Sequence, residues 1–309
     1  MSNRAGGRAG NPALSPWLLH GSMLVSAVLV STSFPVGKAI TPFMDPVLLT
    51  LIRFCLAALL FAPYVRRRFG LANPGLAALG RYSLVSVALV GFFWLMFLSL
   101  RYTNSLHTGV LFTMVPGISG IYSWFLLRER LGPWRILALL LAMVGALWVI
   151  FEGEVAQLRA LQFNRGDLLF FGGCLLMALY TPLIKLLHRG EPMAVMTFWI
   201  LVTGCGWLLL FTLLKPPAEL FVPVPGRVWA GIAYLAVFTT IITFFISQWA
   251  TLHLGPTRVM AYSYLYPPLI VFIDWSLSGA LPDLRTLAGV LIILPAMYVV
   301  QRGDNAPVR

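Results

Sequence analysis

The sequence predicts an all-α integral membrane protein, with ten transmembrane helices forming two inverted five-helix repeats. Three observations carry this reading. Of 309 residues, 59% are hydrophobic and 10% charged, whereas soluble domains carry about 25% charged residues. The apolar residues gather into runs long enough for a bilayer, which a helix crosses with roughly 17–25 residues. Short phrases from the first half recur, in order, in the second. The alternating ten-residue strands of a membrane barrel do not recur, so helices are the spanning elements.

The elements follow in order. Residues 1–16, "MSNRAGGRAGNPALSP", form a polar, flexible N-terminus. Arg4 and Arg8 precede an apolar run, as in a signal peptide, but the run continues to Ile40 with no clear small-x-small cleavage site. It is therefore read as a retained first span. Spans are placed at 17–38, 47–64, 82–100, 106–127, 134–151, 168–187, 193–214, 228–250, 258–277 and 285–301. Between them lie phrases with turn chemistry, "TPFMDP", "LANPG", "RERLGP", "RGEP", "KPPAELFVPVPG", "HLGP" and "GALPD". The first repeat is 17–151 and the second 168–301, joined by a loop at 152–167, with a cytoplasmic tail at 302–309.

A net charge of +12 would suggest a nucleic-acid partner in a soluble chain. Here the arginines cluster between apolar runs, as in Arg66, Arg67 and Arg68 or Arg128, Arg130 and Arg135, which fits cytoplasmic loops instead. With the N-terminus inside, that side also receives Arg4, Arg8, Arg81, Lys185, Arg189, Arg258, Arg302 and Arg309. The other side receives only Lys38, Arg101, Arg159, Arg165, Lys215, Arg227 and Arg285, so both termini are expected in the cytoplasm. Cys55, Cys174 and Cys205 lie in apolar runs without paired or metal-ligand spacing and read as core filling. No cofactor or metal is implied.

The repeat rests on matched phrases. Pro35 and Lys38 recur as Pro182 and Lys185, and Asp45–Pro46 recurs as Glu191–Pro192. Pro116 and Trp124 recur as Pro267 and Trp275. Each match is weak alone, but the order is kept. Five is odd, so the second copy must enter the membrane in the opposite sense, as in secondary transporters with a site near the midplane. Lys38 and Lys185 would then flank the two mouths of one pathway. Either lysine can also simply snorkel to the interface.

Several faces are candidates for holding a substrate. In the eighth span Thr240, Thr243, Phe244, Ser247, Gln248 and Thr251 fall on one helical face. They read either as a cavity wall or as helix packing through small polar residues. Thr108, Phe112, Ser119 and Ser123 form a related face in the fourth span, and Tyr262 and Tyr266 a pair in the ninth. Pro116 and Pro267 should bend or break their helices, which frees carbonyls for a ligand or makes a structural kink only. Trp94, Phe97 and Arg101 share a face that could stack on an apolar side chain or hold an ammonium, or else meet lipid. Tyr180 and Lys38 join the candidate substrate residues. His107 and Asp274 are candidate coupling groups, with an interfacial histidine and a water-reaching acid as the plainer alternatives. Arg53 is expected to pair with Asp45 or Asp274, or to snorkel.

The chain resembles the ten-span EamA branch of the drug/metabolite transporter superfamily. The resemblance rests on "SFPVGKAI…MDPVLLTLIRF", "LSLRYTNSLHTGVLFTMVPGISGIYSWFLLRERL" and "WATLHLGPTRVMAYSYLYPPLIV", and it covers roughly 17–301. It implies a metabolite carrier of the bacterial inner membrane, often an exporter of amino acids, and some members export aromatic ones. It also implies a helix-docking role for Glu129. The second half lacks the corresponding glutamate in "SGALPD", and "VSTSFP" replaces a usual tryptophan–glycine pair.

The expected function is thus secondary transport of a small metabolite by alternating access, most simply amino-acid export with aromatic or large apolar side chains favoured. A multidrug, sugar or nucleoside permease is the alternative. A membrane-embedded transferase is a remote one, because His20, His107, His188 and His253 are scattered. No Gly-x4-Gly-Lys-Ser/Thr loop is present to bind ATP. The expected partners are the substrate and membrane lipid, without nucleic acid, and a monomer is plausible.

Overall fold

A computed structural model describes residues 16–99, 102–103, 105–151, 154, 156, 159, 164–214, 224–279 and 284–302. The part of the chain up to residue 151 contains α1 (Pro16–Ile40), α2 (Pro46–Phe69), α3 (Leu76–Ser99), α4 (Ser105–Phe112), α5 (Val115–Leu127) and α6 (Pro133–Ile150). The remainder contains α7 (Arg165–Leu187), α8 (Met193–Leu213), α9 (Gly226–Ala236), α10 (Thr243–Leu254), α11 (Pro256–Ala261), α12 (Tyr266–Ser278) and α13 (Leu284–Gln301). No strand occurs among the described residues.

Among the described residues seven stretches are long and apolar enough to cross a membrane: Pro46–Phe69, Leu76–Met96, Thr108–Leu127, Pro133–Ile150, Arg165–Leu187, Met193–Leu213 and Gly226–Leu254. Leu287–Gln301 is a shorter apolar helix. Their surfaces are those of lipid-facing helices. On α6, Ile136, Leu137, Leu140, Leu141 and Val144 are exposed while Ala138, Ala142 and Ala146 are buried. Small residues face the protein because lipid tails already solvate the large ones, so close packing is what draws the helices together. The α6–α13 contact is an instance. A Cβ on Gly289 would sit 2.8 Å from the carbonyl oxygen of Gly145, so the two backbones touch.

Local chemistry sets the helix ends. Asp45 caps α2 by accepting from the N–H groups of Val47 (3.0 Å) and Leu48 (3.2 Å). Arg66, Arg67 and Arg68 occupy its last turn, where the helix dipole favours cations. The helix stops at Gly70, at φ 76°. Asn164 and Asp167 form a reciprocal capping box at the start of α7.

The fourth and ninth spans are interrupted, as their prolines require. α4 ends at Phe112 and α5 begins at Val115, with Pro116 in its first turn. α11 gives way to a 3₁₀ turn, Tyr262–Leu265, before α12 starts with Pro267 in its first turn. The eighth span is not the uniform α-helix that its stripe implied. It widens into a π-helical turn at Val237–Ile242, between α9 and α10. No proline or glycine marks that turn, so sequence period alone does not reveal it.

The packing has a clear order. α6 lies along α13, α3 along α7 and α8, and α2 along α8 and α9. α5 packs on α7 and α11, and α1 packs on α9, α10 and α12. One face of the bundle gathers Arg81 with the α7–α8 corner, Lys185 with the α5–α6 loop, and Arg258 with the end of α13. The opposite face joins Thr103 to Asp167, whose oxygens lie 2.5 Å apart, and stacks Arg227 over Phe43.

Candidate functional site

The chemistry of the interior begins at Arg53. It sits in the second turn of α2 and is only 6% exposed. Nε donates to Thr240 Oγ1 (2.6 Å), and Nη2 donates to the Thr239 carbonyl (2.9 Å) and to Thr239 Oγ1 (3.2 Å). The carbonyl is available because the helix is widened there. Thr240 Oγ1 reaches back five residues to the Leu235 carbonyl, at 2.9 Å. π-turns of this kind concentrate at functional sites. The guanidinium carbon lies 5.1 Å from the ring centre of Phe93, within cation–π range. The expected pairing with Asp45, and the expected snorkelling, are both replaced by this arrangement, while the side chain of Asp274, the other expected partner, lies outside the described residues. Asp45 caps α2, and Arg53 points into the protein.

Aromatic rings extend from this point. Phe54, Phe93 and Phe244 form a triangle with centre separations of 5.9–6.5 Å. Tyr180 lies 6.5 Å from Phe244. Through Phe92 the chain of rings continues to Phe112, which stacks on Tyr266 at 6.1 Å and 27°.

Beside the triangle lies a buried polar link. The amide of Gln248 is held at both ends, by Thr197 Oγ1 at 2.7 Å and by the Tyr180 hydroxyl at 2.9 Å. Gln248 and Thr197 have no exposed surface, so these bonds settle the polar groups that burial would otherwise penalise. Thr243 is also buried and donates to the Thr239 carbonyl at 3.0 Å. Ser247 is half-buried on the same helix.

At the arginine-rich face, Lys185 forms an ion pair with Glu129. The pair ties the loop after α5 to the last turn of α7. It lies against Gly255, where a Cβ would be 3.5 Å from Glu129 Oε1 and 3.9 Å from Lys185 Nζ. Gly255 itself holds φ 88°, a conformation that suits glycine. Deeper in, Ser119 and Thr181 face each other at 3.3 Å across α5 and α7. These contacts join α5, α7 and the α5–α6 loop at that face. Next to it, Arg81 lies 3.6 Å from Glu191. Burial opposes ionisation of Glu191, but backbone N–H groups and the Arg81 charge outweigh it and hold its carboxyl below the usual carboxylate value.

The structure therefore brings together Tyr180, Thr243, Phe244 and Gln248, and links Phe112 with Tyr266. Tyr262 stands apart, buried, with its hydroxyl 2.6 Å from His20 Nδ1. Trp94 also stands apart, 38% exposed and stacked on Phe211 at 5.2 Å. The side chains of Lys38, Phe97, His107 and Asp274 lie outside the described residues, as does Arg101. Sequence reasoning did not single out Thr197, Thr239 or the Glu129–Lys185 pair. Thr197 has no sequence signal, whereas both members of the ion pair were visible as charges beside apolar runs. No group of three or more metal-ligating side chains occurs among the described residues.

Comparison with known proteins agrees with this layout. The EamA-like transporter family matches residues 18–151 and again 164–302. "Uncharacterized transporter YyaM" of Bacillus subtilis is 22% identical over 275 residues, covering 88% of this chain and 90% of that protein. An "Uncharacterized transporter" of Archaeoglobus fulgidus is 23% identical, covering 83% and 88%. "Uncharacterized transporter YetK" of Bacillus subtilis is 25% identical, covering 78% and 72%. One protein of known crystal structure superposes with a TM-score of 0.70 at 19% identity, covering 91% of this chain and 97% of its own.

Proposed function

The chain belongs to the EamA-like transporter family of the drug/metabolite transporter superfamily, and on that premise we propose that it is a secondary carrier working by alternating access between two inverted five-helix halves. It is a multi-pass membrane transporter of small molecules, not an enzyme. The finer reading has ten spans: α1, α2, α3, α4 with α5, and α6, followed by α7, α8, α9 with α10, α11 with α12, and α13.

The observation that carries it is the pairing of these spans. Advance the most extensive of these contacts by five spans and another contact is found, whereas the contacts of the sixth span with the eighth and ninth, of the eighth with the ninth and of the fifth with the ninth have no counterpart of similar extent among the described residues. The third span on the sixth becomes the eighth on the first, and the third on the seventh becomes the eighth on the second. The fourth on the sixth becomes the ninth on the first. The second on the seventh, the fourth on the ninth, and the fifth on the tenth map onto themselves. A pseudo-two-fold axis in the membrane plane produces this pattern. The two separate family matches support the same division.

In this reading the arginine-rich face is cytoplasmic and the Glu129–Lys185 pair closes the inner mouth. The pseudo-equivalent Lys38 serves the outer one. The substrate crosses between the halves past Tyr180, Phe244, Gln248 and Tyr266. The substrates we favour are amino acids with aromatic or large apolar side chains, moved outward, because the interior is lined with rings. The test is uptake into proteoliposomes of labelled amino acids, nucleosides, sugars and cationic drugs. Amino-acid flux that falls severalfold in Lys38→Ala but not in Lys215→Ala is expected. Flux of another class alone would replace the substrate, and equal activity of the two variants would remove the role of Lys38.

A further inference from the structure

We propose that Arg53 is the anion-binding residue of the translocation site, and that the transported molecule carries a carboxylate which docks on its guanidinium. The inference rests on the carrier reading and deepens it.

The first ground is charge. Arg53 is more than nine-tenths buried, yet it makes no ion pair among the described residues. The described acids, Asp45, Glu129, Glu154, Asp167 and Glu191, all lie at helix ends or in loops. Only neutral oxygens hold the guanidinium. A buried charge without a counter-charge is costly at membrane depth, and such residues mark substrate pathways.

The second ground is geometry. A guanidinium has five N–H donors. Nε and Nη2 are committed to Thr239 and Thr240, which fixes the plane of the group. Among the described residues Nη1 has no hydrogen-bond partner, which leaves both of its N–H groups to offer. An arginine fixed along one edge and open at the other is prepared for an incoming oxyanion, and such charge-assisted bonds are roughly twice as strong as neutral ones.

The third ground is what surrounds the open end. Phe93 lies under the guanidinium, and Phe54 and Phe244 complete an apolar triangle beside it. This surface suits the apolar body of a small monocarboxylate. A phosphate dianion would bring a second charge to a point where only one described cation stands.

The π-turn gives the site a mechanical consequence. Thr239 and Thr240 belong to the eighth span and Arg53 to the second. Neutralising the guanidinium weakens its demand on those oxygens and loosens one half from the other.

The test compares carboxylates with their neutral amides: phenylalanine with phenylalaninamide, leucine with leucinamide, and benzoate with benzamide. Exchange is measured for wild type, Arg53→Gln and Arg53→Lys in proteoliposomes at matched protein density. Wild type is expected to prefer the carboxylate of at least one pair by about tenfold or more. Arg53→Gln should lose that preference by bringing the carboxylate down to the rate of the amide, and Arg53→Lys should retain part of it. A proportional fall in both members of the pair would make Arg53 a structural tie only and overturn the proposal. A preference that survives Arg53→Gln would overturn it too. If Arg53→Gln does not give monodisperse protein, Thr240→Val, which frees only Nε, carries the same readout. A severalfold higher KM for the carboxylate with the amide unchanged is then expected, and an equal change in both would overturn it. Wild-type exchange of amides or sugars without carboxylates removes the anion site but leaves the carrier. Absence of all exchange removes the carrier reading itself.

Discussion

Arg53 shows what a sequence discloses about a single residue and what it withholds. A charge in the middle of an apolar run is conspicuous, and it raised the expectation of pairing with Asp45 or Asp274, or of snorkelling. Its partners did not follow, because they sit on a helix 186–187 positions away in the chain and depend on a π-turn. Trp94 shows the opposite difficulty. Lipid is as apolar as a protein core, so an aromatic residue carries no mark of facing inward or outward. Gln248 was legible as the one large polar group on the stripe of the eighth span, but Thr197, its partner, was not. That pair gives an expectation at the same scale. Gln248→Leu leaves the buried Tyr180 hydroxyl without its partner and should destabilise the protein by about 1–3 kcal/mol. Adding Tyr180→Phe removes the orphaned hydroxyl and should recover most of the loss. Denaturant unfolding in detergent micelles measures both, and a double variant no more stable than Gln248→Leu would contradict the assignment.

Elements were more legible than side chains. Prolines dictated the interruptions at Pro116 and Pro267, because a ring without an N–H cannot continue the ladder. The turn phrase "TPFMDP" marked the start of α2 at Asp45, whereas the cap of α7 at Asn164 was not read from the sequence. The π-turn was missed because threonine and isoleucine give no local cue for it. The contact with most consequence at this scale is the ion pair of Glu129 with Lys185, which ties the α5–α6 loop to α7 beside the α10–α11 corner. Surface ion pairs contribute little to stability, about 0–1 kcal/mol, so the role we propose for this pair is in the balance between two conformations. Glu129→Gln should therefore open this mouth more often at little cost in stability. In a background without Cys55, Cys174 and Cys205, a cysteine at Thr181 should react severalfold faster with a membrane-impermeant maleimide when Glu129 is neutral. Unchanged labelling from the arginine-rich face would show that the pair does not hold the mouth shut.

At the scale of the whole molecule, an all-α multi-pass membrane protein was legible in the sequence from its long apolar runs and clustered arginines, since these depend on order and count rather than on contact. The packing scheme adds what order alone lacks, the contacts of α3 with α7 and α8, of α2 with α8 and α9, and of α6 with α13 on which the proposed two-fold relation rests. The energetic logic is shared by both halves. Large apolar side chains turn to lipid, small ones allow helices such as α6 and α13 to touch, and a thin polar layer of Arg53, Thr197, Thr239, Thr240 and Gln248 crosses the middle. A layer of this kind is what a carrier needs between two openings.

The central claim is that one site is exposed alternately to the two sides, and counterflow tests it most directly. Proteoliposomes loaded with unlabelled amino acid are diluted into trace labelled amino acid, and entry is followed. The expected result is transient accumulation of label above its outside concentration, present only when the inside is loaded and lost in Arg53→Gln. Entry that never exceeds equilibrium and is indifferent to the internal load would contradict an alternating carrier and describe a channel instead.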